Sequence, residues 1–142
     1  MIDYRNWQFP LGRRFRSLKV YFVLMSYGQE GFRKHLRRLI DLSQYLEELV
    51  GKSKTIELFV PRRFSLLVIK LKGKDAEQED KLNRAFFARV SERKDLWLTS
   101  TIVGGTYCIR FAIGSPHTEK RHIDDVWRMI QEIEQDVRRE LQ

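Results

Sequence analysis

Few residue types in this chain can do chemistry alone. There are three histidines, His35, His117 and His122, and one cysteine, Cys108. No two of them are spaced as metal ligands, and one cysteine can supply neither a Cys-rich zinc site nor an intramolecular disulfide. His35 lies in a basic stretch and His122 just after Glu119 to Arg121, so both read as surface residues. Cys108 sits between Tyr107 and Ile109, where a small buried hydrophobe is a simpler role than a nucleophile, which needs a base beside it. No phosphate-cradling loop and no nucleophile elbow occurs; Gly104-Gly105 reads as a turn.

The elements that would position these residues are legible from spacing. Residues 1–11 read as extended, because Pro10 disfavours the α region at Phe9. Residues 12–27 contain no breaker and read as a helix. Its middle, Val20 to Met25, is apolar on every side and is expected to be buried all round. Gly28 and Gly31 punctuate the chain. A second helix over 29–50 is marked by Phe32, Leu36, Leu39, Ser43, Leu46 and Leu49. Its charges run against local rules: Arg33/Arg37 and Lys34/Arg38 are like-charge pairs, and Glu47 and Glu48 lie near its C-terminal end. Either the basic end faces an acidic partner surface, or the Arg and Lys stems cover apolar neighbours with their heads in water.

Strands are expected over 55–60, ended by Pro61, and over 65–71, ended by Gly73. Residues 75–91 read as a helix with Leu82, Phe86 and Val90 on one face. Strands over 96–103 and 106–112 flank the Gly-Gly turn. A last helix from Thr118 carries Ile123, Val126, Trp127, Ile130, Ile133, Val137 and Leu141 as its stripe. The order α-α-β-β-α-β-β-α implies an α+β fold: a four-stranded, mostly antiparallel sheet with helices packed on one face.

The 142 residues suit one domain, and 42% hydrophobic residues can fill a core. No apolar run reaches membrane-spanning length, and none at the start looks like a signal peptide. A reducing, cytoplasmic compartment is the expectation from one cysteine. The net charge of +8 makes a basic nucleic-acid-binding module conceivable, but the basic residues are scattered in pairs and triplets among acidic ones. No nucleic acid and no membrane are therefore expected as partners.

One stretch says more. Residues 3–19 contain Trp7-Gln8-Phe9-Pro10-Leu11-Gly12-Arg13-Arg14-Phe15-Arg16. This segment resembles the pyridoxal-phosphate-dependent group II decarboxylases, the aromatic-L-amino-acid and tyrosine decarboxylase family. Pro61-Arg62-Arg63 through Gly73, Tyr107 to Ser115, and His117-Thr118-Glu119 are similar to later parts of the same family. The likeness covers nearly the whole chain but only the C-terminal third or so of such an enzyme.

The resemblance implies a C-terminal small domain over 19–142, a four-stranded antiparallel sheet with helices on one face, preceded by a linker and long helix. Residues 1–18 would be a linker and interface segment belonging to the parent's large domain. The partners implied are the large pyridoxal-phosphate-binding domain, a second subunit, and an aromatic amino-acid substrate in the complete enzyme. The family's Schiff-base lysine lies in a His-Lys motif further N-terminal, and this chain has no His-Lys dipeptide. The isolated chain is thus expected to bind no cofactor and to be inactive. By the same likeness, Arg5 matches an arginine that affects catalysis near the site entrance. Leu11 and Gly12 match positions reaching the substrate pocket of the neighbouring subunit, and Arg13 one that meets a substrate carboxylate in related glutamate decarboxylases. Structural roles compete with these: Arg13, Arg14 and Arg16 can pair with large-domain carboxylates, and Gly12 can simply start a helix. A cut within a longer reading frame is expected, with a free-standing interaction domain as the alternative.

Overall fold

The computed structural model describes residues 15–141. They form α1 (Ser17–Gly51), β1 (Ile56–Arg63), β2 (Leu66–Leu71), α2 (Ala76–Glu92), β3 (Thr99–Val103), β4 (Thr106–Ala112) and α3 (Lys120–Glu140). The chain divides into two compact units, one ending at His35 and the other starting at Leu36.

In the first unit, α1 is helical up to Gly28, whose φ of 61° and ψ of 176° lie outside the helical region. A glycine tolerates that conformation without the Cβ penalty other residues meet. The break falls where two helices were expected to separate. The expected burial of Val20 to Met25 is not met: these residues are 44–65% exposed. A helix that is apolar all round needs neighbours on every side, and none surrounds it among the described residues. Arg33 pairs with Glu30 on the same helix.

In the second unit the sheet order is β1-β2-β4-β3, with each neighbouring pair antiparallel. The second part of α1, α2 and α3 all pack on one face. Leu39, Leu46, Leu82, Phe86, Ile130 and Val137 from the helices share a single core with Leu67, Ile69, Leu71, Ile109 and Phe111 from the sheet. Alternation along the strands makes this possible: every second residue of β2 and β4 turns to the helices. Val68 and Cys108 lie at the alternate positions and are outside that core.

Local chemistry sets the element ends. Asp75 caps α2 by accepting from the Gln78 amide at 2.8 Å. The Gly104-Gly105 turn has positive φ at both residues, 56° and 85°, which a two-residue type I′ hairpin requires. At Gly73, a Cβ would meet the Glu79 backbone nitrogen at 2.6 Å, so the start of α2 can lie against the end of β2 only because the side chain is absent.

Three expectations about ends are corrected. The strand expected from residue 96 begins at Thr99. Pro61 does not stop β1, which runs to Arg63. β1 is an edge strand and its register with β2 shifts between Val60 and Arg63, so a residue without an N–H is accommodated there. Leu141, placed on the apolar stripe of α3, is 45% exposed.

Two of the unusual charges on α1 find partners elsewhere in the fold. Arg38 donates to the carbonyls of Pro116 and Thr118 at 3.1 and 2.6 Å, fixing the loop before α3. Glu47 accepts from Arg62 at 2.6 Å. The heads of these residues are thus bonded to the fold itself. Ser43, which occupied an apolar position in the helical pattern, is fully buried and within 2.8 Å of the Phe64 carbonyl at the β1–β2 turn.

Candidate functional site

Arg5, Leu11, Gly12 and Arg13, the residues for which the resemblance implies catalytic and substrate-binding roles, lie outside the described residues. The chemistry-bearing residues inside them are placed as follows. The His122 Nδ1 accepts the Glu119 amide at 3.0 Å, so this histidine is a helix-capping group at the start of α3. His35 lies against the Tyr27 ring, with centroids 5.8 Å apart. Cys108 is fully buried, and burial pushes its thiol pKa up, opposite to the shift a nucleophilic thiolate needs. No group of three His, Cys, Asp or Glu is arranged to hold a metal ion among the described residues. No helix there is long and apolar enough to cross a membrane.

Spacing gave no sign of one charged cluster that joins three elements. Lys70, on β2, is 2.6 Å from Glu79 of α2 and 3.4 Å from Glu57 of β1, and its ammonium lies 5.4 Å from the Phe59 ring centroid. The hydrogen bond to Glu79 pushes the Lys70 pKa up, and Glu57 adds to it. Lys72 shares Glu57 at 3.3 Å. These partners converge only in the folded sheet, because residues 57, 70 and 79 belong to three different elements.

The cofactor implied by the resemblance can be tested against these groups. A Schiff-base lysine must offer a neutral amine, and Lys70 is held protonated by two carboxylates. Lys72 and Lys74 line a cleft of about 210 Å³, whose walls hold no carboxylate to grip a pyridinium nitrogen. Neither Lys70 nor the cleft at Lys72 and Lys74 fits pyridoxal phosphate.

Larger clefts flank the segment between α2 and β3. One of about 450 Å³ is lined by Leu46, Leu96, Leu98, Phe111, Ile123 and Val126, with Trp97 and His122 also bordering it. Another of about 410 Å³ lies on the other side of Leu96 to Leu98, against Phe87, Ser91 and Ser100. The segment that separates them is held by Arg93, whose guanidinium forks onto Asp95 at 2.8 and 2.7 Å. That pairing draws the Asp95 pKa from 3.8 to about 2. A carboxyl lowered in the folded state stabilises it above its ordinary pKa, and the contribution fades as pH falls from about 4 toward 2. We expect Asp95→Asn to narrow the stability difference between pH 5 and pH 2.5, measured by urea unfolding at both pH values.

The described residues form a four-stranded antiparallel layer with helices packed on one face. The conserved domain described as "Pyridoxal-dependent decarboxylase conserved domain" matches residues 1–72, and the chain belongs to that family. It is 39% identical over 134 residues to tyrosine decarboxylase 2 of Narcissus pseudonarcissus, covering 93% of this chain and 27% of that protein. Phenylacetaldehyde synthase of Arabidopsis thaliana matches with the same identity and coverage. The crystal structure of Catharanthus roseus tryptophan decarboxylase in complex with L-tryptophan superposes with a TM-score of 0.81 and 36% identity, over 95% of this chain and 29% of that one. The chain thus spans a little over a quarter of the length of the relatives it matches.

Proposed function

We propose that the chain is the C-terminal portion of a pyridoxal-phosphate-dependent aromatic L-amino-acid decarboxylase, a carboxy-lyase. The observation that carries this reading is the asymmetry of the match: 93% of this chain aligns with 27% of its relatives. In the complete enzyme, residues 19–142 are the small domain and residues 1–18 a segment of the large domain. Leu11 and Gly12 form part of a substrate-pocket wall. A glycine at position 12 leaves room for an aromatic side chain, where any Cβ would narrow the pocket. Arg5 stands near the entrance of the active site, where it affects catalysis, and Arg13 meets a substrate carboxylate. The exposed apolar helix Val20 to Met25 supports this reading, because it needs burial that the described residues do not supply. The complete enzyme is a cytoplasmic homodimer, and the segment seen here contributes dimer contacts.

The test is the size of the native polypeptide in its source cells, read with an antibody against residues 75–91. A band several times larger than 17.1 kDa is expected. A sole band at 17.1 kDa would overturn the reading in favour of a free-standing, non-catalytic interaction domain. The isolated chain is expected to release no CO₂ from aromatic amino acids, measured with carboxyl-labelled substrate.

A further inference from the structure

Residues 113–119 connect β4 to α3. Gly114, Ser115 and Thr118 of this loop, with His122 of the first turn of α3, line the cleft of about 450 Å³. Two side chains from outside the loop bond its backbone among the described residues. Arg38 donates to the carbonyls of Pro116 and Thr118, and the His122 Nδ1 accepts the Glu119 amide at 3.0 Å. The first hold is permanent, because a guanidinium keeps its protons at every physiological pH. The second is conditional. An imidazole nitrogen accepts only while it carries no proton; once protonated, it sets one donor against another. Glu119 and His122 are the N-cap and third helical residue of a capping box. Glu or Gln ordinarily fills the later position, and both accept throughout the neutral range. Histidine is the side chain whose acceptor is withdrawn within that range.

We propose that His122 is a proton-operated latch on the loop before α3. Neutral, it holds the Glu119 amide. Protonated, it releases that amide, frays the first turn of α3 and loosens one wall of the cleft. The surroundings offer the protonated ring little in return. On its own helix, Glu119 is paired with Arg121 at 2.9 Å and Asp125 with Arg128 at 3.5 Å. From the segment before β3, Asp95 lines the same cleft but is taken by the Arg93 fork. From α1, Arg38 brings a second positive charge to the loop, and His117 within the loop can add another. The positive end of the helix dipole also opposes a cation in the first turn. Both partners of the latch lie within residues 119–122, so it is internal to this chain.

The experiment is hydrogen exchange of the native polypeptide, whatever its full length, read by mass spectrometry at pH 8 and pH 5.5. These values bracket the ordinary histidine range. Each rate is corrected for the intrinsic pH dependence of exchange. Peptides spanning 114–126 are expected to lose about five-fold in protection at the lower pH, the worth of one cap. Peptides from α2 are expected to keep theirs. His122→Gln and His122→Glu each keep an acceptor at the third helical position, and both are expected to abolish the difference between the two pH values. Equal protection of 114–126 at both pH values in the wild type would overturn the proposal. So would a pH dependence that survives in the two variants, which would point to His117, or a loss that α2 shares, which would make it global. None of these readings depends on decarboxylase activity.

Discussion

Replacing Arg138 with alanine is expected to cost about 3 kcal/mol of folding stability. Its Nε donates to Glu134, a carboxylate that is only 5% exposed. Its Nη2 donates to the carbonyls of Thr55 and Lys72 at 3.2 and 3.0 Å. One guanidinium thus fastens α3 to the start of β1 and the end of β2. Truncation leaves a buried carboxylate without its cation and takes a donor from both carbonyls. Thr55 keeps one partner, the Lys72 amide at 2.9 Å, so the largest part of the loss falls on Glu134. Urea unfolding should show a lower midpoint with an unchanged slope. Arg138→Lys should recover only part, because an ammonium cannot fork in the guanidinium plane. Combining Arg138→Met with Glu134→Leu should recover most of the loss, since it removes the stranded charge altogether. An Arg138→Ala variant as stable as wild type would refute this account of the clamp.

Asn83→Ala is expected to cost a similar amount, about 3 kcal/mol. Asn83 is fully buried on α2. Its Oδ1 accepts the Leu71 amide at 2.9 Å, and its Nδ2 donates to the Leu71 carbonyl at 3.0 Å. The side-chain amide stands in for a neighbouring strand at the last residue of β2. Nδ2 also reaches the Glu79 carbonyl at 2.8 Å, so the same group ties back to its own helix. Alanine would leave both polar groups of Leu71 without these partners in a dry interior. Asn83→Asp is the sharper variant. It keeps an acceptor for the Leu71 amide but turns a carboxylate toward two carbonyls, and should be at least as unstable as the alanine variant at neutral pH. Amide exchange at Leu71 gives a local reading: its protection should fall in both variants. Retained protection in Asn83→Ala would show that this amide does not depend on the side chain.

Most of the layer could be read from period and punctuation. The alternation of Leu67, Ile69 and Leu71, the spacing of Leu82, Phe86 and Val90, and the Gly104-Gly105 turn each carry their own local signal, and each element stands where the signal put it. Pro61 misled because a proline reads as a terminator unless the strand is known to lie at an edge. Ser43 and Asn83 sit at core positions, and nothing in their spacing tells which distant carbonyl or amide they meet. The Lys70 cluster and the Arg138 clamp were hidden for the same reason, since their partners come from separate elements. The site residues Arg5, Leu11, Gly12 and Arg13 were found by resemblance alone, because a pocket wall has no periodicity and these residues precede the described fold.

The sequence by itself determined the family, through its motifs, and the order of strands and helices in the sheet layer with the faces that β2, β4 and α2 bury, because the latter depend on residue type at fixed spacing. Tertiary structure alone decided which polar groups satisfy one another across elements. It also decided which strands lie at the edges of the sheet, and that Val20 to Met25 stand exposed. Hydrophobic periodicity records how far a residue must be buried. It does not record the neighbour that buries it, because a hydrogen bond or a strand pairing joins residues whose distance along the chain is unrelated to their distance in space.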